Sequence, residues 1–386
     1  MELAPKLEYL LHIGIILLGA QIGGIISRRL RQPVVLGQII VGILLGINLI
    51  EKTELVGQLA EIGVIFLMFI AGLETDVDEL KASGKSSTAI AILGVVVPMG
   101  LVSGAAYLMG QSMPSSIILG LISIATSVSI SVQTLKEIGF LRSKQGIAIL
   151  GAAIIDDIIG IILLTLTIGM VRPNAESGVL SVILKIITFF IITFVLGYII
   201  IKVVLKIHHK FNLRRVIVSY SLIFCVLLAY LSEDLGVAAV TGAYFAGVIL
   251  SMTPYRHKIS HDIQIVSDSF FTPIFFVSIG LGVELNELGY AITFSLILLG
   301  LGIIGKIFGC GFGARATGFS VKESLQVGIG MVPRAEVSII IANLALSLNL
   351  IGDKEFSSAI VLVVATTLMT PSLLKWSFKG YELEKR

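Results

Sequence analysis

The sequence predicts an all-α polytopic membrane protein with thirteen transmembrane helices, two of them interrupted in mid-membrane. Three observations carry that prediction. First, the 386 residues are 56% hydrophobic and 14% charged, with a mean hydropathy of +1.01; soluble domains carry about 25% charged residues. Apolar runs of about 20 residues succeed one another from end to end, each able to cross the ~30 Å hydrocarbon core as a helix. Lipid offers the backbone no hydrogen bonds, so the chain must be helical wherever lipid touches it. Second, Lys and Arg gather in alternate loops. Third, two spans contain residues that unwind a helix.

The spans and their connections follow in order. Spans 7–27 and 33–49 are separated by Arg28, Arg29 and Arg31, and spans 55–74 and 87–109 by Lys81 and Lys85. Lys136, Arg142 and Lys144 lie between 114–135 and 146–170; Lys202, Lys206, Lys210, Arg214 and Arg215 surround the join of 178–203 and 215–232. Arg256 and Lys258 lie between 235–252 and 263–282, Arg315 and Lys322 at the join of 289–310 and 322–347, and Lys375, Lys379, Lys385 and Arg386 at or after the end of 356–375. The alternate connections hold only Lys6, Lys52, Arg172 and Lys354. The positive-inside rule puts the richer side in the cytoplasm, hence the N-terminus outside and the C-terminus inside. An odd number of spans agrees, since it puts the two termini on opposite sides.

The connections leave no room for a soluble domain, so residues 1–386 read as a single integral-membrane unit. The tail of about ten residues is too short for a nucleotide-binding domain. Met1 to Lys6 lacks a basic n-region and a small-residue cleavage site, so the first helix reads as retained. Cys225 and Cys310 lie in apolar runs and indicate neither a disulfide framework nor a metal site. Gly19-x-x-x-Gly23 is a close-packing face, for a partner chain or for an internal neighbour.

The fifth span contains Ala125-Thr126-Ser127-Val128-Ser129-Ile130-Ser131, rich in hydroxyls. The twelfth contains Gly328-Ile329-Gly330-Met331-Val332-Pro333-Arg334-Ala335-Glu336. Gly weakens a helix, Pro removes a backbone hydrogen bond, and two charges follow at once. The two spans are seven apart and cross in opposite directions, which points to an inverted repeat whose broken helices meet at the midplane.

Ionisable residues inside the membrane cost about 2.5 kcal/mol or more and mark function by default. Asp156 and Asp157, in GAAIIDDIIGIILL (151–164), are the foremost. They stand about 100° apart on a helix, so both can border one cavity. Proximity of like charges and desolvation both favour protonation, so the pair is suited to taking up and releasing protons. A carboxylate is also a hard-oxygen ligand for a cation. Competition of protons and a cation for one site is exchange. Lys306 reads as a partner of Asp156, either a releasable one that itself carries a proton or a fixed salt bridge. Arg334 and Glu336 read mainly as compensation for broken-helix ends, Arg334 at carbonyls and Glu336 at amides. Thr126, Ser127 and Ser129 can supply ligand oxygens or bond back to their own helix. Glu61 and Asp268 read as helix-contact residues. His208, His209, His257 and His261 lie on loops and read as solvated surface rather than a pH sensor.

With QPVVLGQIIVGILLG (32–46), FLMFIAGLETD (66–76) and GMVPRAEV (330–337), the acid pair, the broken helices and the eleventh-span Lys resemble the electrogenic sodium/proton antiporters of the NapA-like branch of the cation/proton antiporter superfamily. The likeness covers essentially the whole chain. It implies a homodimer in a prokaryotic cell membrane, with a scaffold mainly of residues 7–74 and 178–282 and a transport core mainly of 87–170 and 289–375 that moves like an elevator. It implies Asp157 as the principal ion-binding acid, Asp156 as the second, a Lys306–Asp156 bridge that opens on sodium binding, and Thr126 near the crossing. Sodium or lithium and protons would be cargo; no cofactor, enzymatic activity or nucleic-acid partner is implied. Potassium/proton exchange stays open, because selectivity depends on cavity size. An intramembrane aspartyl protease needs acids on separate helices, and a channel would not need alternating access.

Overall fold

The computed structural model describes residues 8–48, 50, 53–171, 179–208, 217–282 and 292–380. Among these residues the chain forms α-helices and one π-helical turn, with no strand. The helices are α1 (Glu8–Arg29), α2 (Val34–Asn48), α3 (Glu54–Glu74), α4 (Val77–Leu108), α5 (Met113–Ile124), α6 (Val128–Glu137), α7 (Lys144–Val171) and α8 (Val179–His208). They continue with α9 (Ile217–Asp234), α10 (Ala239–Ser251), α11 (Arg256–Val266), α12 (Thr272–Leu281), α13 (Ile292–Ala316), α14 (Val321–Gly330), α15 (Glu336–Ser347) and α16 (Asp353–Ser377). Ten described segments are long and apolar enough to cross a membrane, counting α5 with α6 and α11 with α12 as single segments; Val34–Ile47, Ala239–Ser251 and Val337–Leu346 are shorter apolar helices. Lys6, Lys52, Arg172, Lys210, Arg214, Arg215, Lys385 and Arg386, used above for orientation, lie outside the described residues, as does His209.

Local signals place the ends. Thr53, Asp76 and Ser112 accept backbone N–H groups in the first turns of α3, α4 and α5. Ser320 and Glu323 form a reciprocal capping box on α14, at 3.2 and 2.7 Å. Such caps satisfy donors that have no partner within the helix. Two boundaries differ from the sequence expectation. The Asp76 cap starts α4 at Val77 and not near 87, making a helix of 32 residues, about 48 Å at 1.5 Å per residue. Its first turns carry Asp78, Glu79, Lys81 and Lys85, polar residues that an apolar-run criterion does not see. Likewise α11, the π turn Ser267–Phe271 and α12 run on from Arg256, so the tenth span begins earlier than 263.

Packing gathers the helices into two groups. One contains α1, α2, α3, α9, α10, α11 and α12; the other contains α4, α5, α6, α7, α13, α14, α15 and α16. In the second group α13 lies directly on α4. A Cβ at Gly305 would come within 2.7 Å of Pro98 Cα, and one at Gly313 within 2.6 Å of Ala89 O. Only glycines allow that approach, which brings Lys306 to the centre of the group. In the first group, Gly23 faces Gly37 and Val41, and Gly19 faces Val41. The Gly19-x-x-x-Gly23 face therefore packs internally against α2.

Candidate ion-binding site

The fifth and twelfth spans both break. Residues 125–127 separate α5 from α6, and residues 331–335 separate α14 from α15. The breaks meet: Ser127 N–H donates to Pro333 O at 2.7 Å, and Ser131 Oγ on α6 donates to Gly330 O at the end of α14. Each break thus answers part of the other's lost backbone hydrogen bonding.

A helix leaves its last four carbonyls without partners. At the end of α5, side chains from other elements meet them. Ser338 on α15 donates to Ile122 O at 3.0 Å and also approaches Ala125 O at 3.5 Å. The Arg334 guanidinium donates to Ser123 O through Nε at 2.9 Å and through a second nitrogen. Lys306 Nζ donates to Ile124 O at 2.7 Å. Two cations therefore stand where the α5 dipole is negative. Arg334 also donates to Val332 O and, at 3.2 Å, to Gly302 O on α13. Its backbone is held from α16: Thr366 Oγ1 accepts Arg334 N–H at 3.2 Å, and Thr367 donates to Arg334 O.

Lys306 has a second partner. Its ammonium lies 3.0 and 3.2 Å from the two Asp156 carboxylate oxygens, with both side chains essentially buried. Thr126 Oγ1 donates to Asp156 Oδ2 at 2.6 Å. The first break, α7 and α13 are thereby joined at one carboxylate. Asp157, one residue on, is half-buried. Ser127 and Ser129 are buried and share a hydrogen bond at 3.1 Å, so these two hydroxyls bond to one another while Thr126 reaches Asp156. The side chain of Glu336 lies outside the described residues. Of the remaining expected residues, Glu61 is exposed and Asp268 pairs with Lys136 at 3.5 Å. Among the described residues no group of three His, Cys, Asp or Glu is placed to hold a metal ion.

Ser338, Thr366, Thr367 and the glycines opposite α4 were not singled out from the sequence. Hydroxyls in an apolar run usually bond back to the preceding turn, and Thr366 does so as well, to Leu362 O at 2.7 Å. The available signal was their number in α16, Thr366, Thr367 and Thr370.

With this geometry in place, comparison with known proteins is informative. The family model described as sodium/hydrogen exchanger, transmembrane, matches residues 15–380. The chain is 40% identical over 378 residues to the Na(+)/H(+)-K(+) antiporter GerN of Bacillus cereus, covering 97% of each chain. It is 34% identical over 380 residues to an Na(+)/H(+) antiporter of Enterococcus hirae, covering 97% of this chain and 99% of that one. The fold is similar to that of the sodium proton antiporter MjNhaP1 of Methanocaldococcus jannaschii, with a TM-score of 0.75, 18% identity and full coverage of both chains. Matched along nearly its whole length, and carrying a buried lysine–aspartate pair where its two broken helices meet, the chain belongs to the transmembrane sodium/hydrogen exchanger family.

Proposed function

We propose that the protein is a secondary active antiporter of the cell membrane that exchanges sodium or lithium for protons. The observation that carries this is the Lys306–Asp156 pair, buried beside Asp157 at the break of α5 and α6. A buried pair is a poor way to gain stability, because desolvation offsets most of its attraction. A pair that must open and close has a use for that near balance. When a cation occupies the site, both carboxylates are ionised and Lys306 leaves Asp156. If Lys306 stays charged it is not stranded, because Ile124 O and the negative end of α5 still hold it; if it is the second proton carrier, it has given up its proton in this state. In the proton-loaded state Asp157 is neutral, and Asp156 or Lys306 carries the second proton. Two protons then move against one sodium ion, and one net charge crosses per cycle.

In the same proposal the helix group containing α4–α7 and α13–α16 is the transport core. The group containing α1–α3 and α9–α12, together with α8, is the scaffold of a homodimer. The core moves past the scaffold, carrying the site across the membrane. The closer packing within each group than between the groups supports this movement. Potassium is the second candidate cargo, supported by the similarity to GerN, whose name includes potassium, and to the K(+)/H(+) antiporter subunit KhtU of Bacillus subtilis, at 28% identity over 389 residues. Purified protein in vesicles containing a pH-sensitive dye tests both. Sodium and lithium should collapse an imposed proton gradient at lower concentration than potassium does. No cation-dependent proton movement would refute antiport, and equal response to potassium would refute sodium selectivity.

A further inference from the structure

Two consecutive side chains at the end of α6 grip two different helices of the opposite group. Lys136 Nζ lies 3.5 Å from both carboxylate oxygens of Asp268, on the π turn that leads into α12. Glu137 Oε2 accepts the Val34 N–H at 2.6 Å. Val34 opens α2, so its N–H has no partner within that helix. The carboxylate of one group thus caps a helix of the other, a favourable place for a negative charge. Gln133, one turn earlier on α6, donates to the other Glu137 oxygen at 3.4 Å. Nearby, Ser372 of α16 donates to Gln32 Oε1 at 2.9 Å, a further tie between the groups.

These contacts lie at the end of the bundle rich in Lys and Arg. A cavity of about 320 Å³ opens there between α3 and α7, bordered by Glu74, Thr75, Arg142, Ile147 and Leu150. Leu150 is seven residues before Asp157, hence on nearly the same face of α7 and about 10.5 Å away along its axis. Asp157 does not border the cavity, and the α7 residues between it and Leu150 would have to be uncovered to connect the two. Residues 145–154 are all buried, whereas 157–165 are all half-buried. The half of α7 next to the basic loops is buried by protein, and the opposite half is only partly covered.

We infer that Lys136 and Glu137 form a latch that holds the basic-side entrance to Asp157 shut, and that this entrance opens only when both contacts break. The inference rests on the proposed movement of the two helix groups. An exposed ion pair alone makes a weak latch; the second contact, a carboxylate on a helix N-terminus, adds a charge-assisted hydrogen bond to it. Contacts made only in the closed form raise its population, so their loss shifts the balance towards the open form.

The test reads opening directly. An Ile154→Cys reporter, buried on α7 between the cavity and Asp157, is placed in otherwise unchanged protein and in protein carrying Lys136→Gln with Glu137→Gln. Both are reconstituted and exposed, from the side of the basic loops, to a membrane-impermeant maleimide. Ala153→Cys, also buried and outside the cavity lining, is a second reporter, used if Ile154→Cys does not fold. Labelling should be about five-fold faster in the latch variant, the mark of a larger open population. An unchanged rate overturns the latch. So does equally fast labelling of the native Cys225, which is buried on α9 in the other helix group, because that would show general loosening. Faster labelling of the reporter alone, in protein that moves no protons with any cation, leaves the latch standing and removes the antiport proposal.

Discussion

The two broken helices solve one problem in different ways. At residues 125–127 the break exposes carbonyls of α5, and cations from elsewhere, Lys306 and Arg334, approach them. At residues 331–335 the break contains its own cation, and its backbone is clasped by Thr366 and Thr367 of α16 and by Ser127 and Ser131 of the other break. The first break includes a hydroxyl on Asp156 and is joined to the acid pair. The second is a brace whose every named contact is to backbone or to a hydroxyl. The two breaks therefore differ in their partners: a carboxylate is among those of the first, and only backbone groups and hydroxyls are among those named for the second.

Substitutions can sharpen or destroy that contrast. The largest effect is expected at the acids. Asp157→Asn keeps the shape and removes the charge and the proton, so exchange should vanish while folded protein is recovered in normal yield. The variant gains stability if the lost charge was poorly solvated. Exchange at an ordinary rate in reconstituted Asp157→Asn would take Asp157 out of the site. Next is Lys306→Gln. If Lys306 carries the second proton, exchange persists but ignores the membrane potential, which otherwise contributes about 2.3 kcal/mol per charge per 100 mV. Measuring exchange at several clamped potassium-diffusion potentials decides this. A reversal point that depends on potential in Lys306→Gln moves the second proton to Asp156, and one that ignores it even in the unsubstituted protein means one-for-one exchange.

Arg334→Ala should act on the brace. It leaves buried carbonyls of Ser123, Val332 and Gly302 without that donor, at about 1–3 kcal/mol for each group left unsatisfied. Yield and thermal midpoint should fall more than apparent ion affinity does. A stable Arg334→Ala protein with altered ion selectivity would erase the contrast between the breaks. The smallest effects belong to the hydroxyls. Thr126→Val removes a charge-assisted hydrogen bond from Asp156 and should weaken apparent sodium affinity about ten-fold, as a loss near 1.4 kcal/mol does. Ser338→Ala removes a comparable hydrogen bond from the α5 carbonyls and should lower the thermal midpoint by a few degrees, with sodium affinity unchanged. The reverse pattern, affinity lost in Ser338→Ala and kept in Thr126→Val, would place the ion on the wrong side of α5.

The sequence by itself determined what the bilayer imposes. Helices recur because lipid cannot satisfy a peptide group, and breaks are legible at hydroxyl-rich 125–131 and at Gly330-Met331-Val332-Pro333 because these residues weaken helical bonding. Asp156, Asp157, Lys306 and Arg334 stand out because a charge in hydrocarbon is costly wherever the chain turns. What only the tertiary structure decided is who meets whom. Lys306 and Asp156 are 150 positions apart, and their 3.0 Å contact depends on α13 lying against α4, which in turn depends on Gly305 and Gly313. The sequence marked Gly19 and Gly23 as a close-packing face, but only the fold turned that face inward to α2. Ser338 reads as an ordinary helical serine until α5 ends beside it. Side-chain cost is a local property and leaves a trace in one dimension; complementarity between distant surfaces is not, and becomes visible only when the helices are packed.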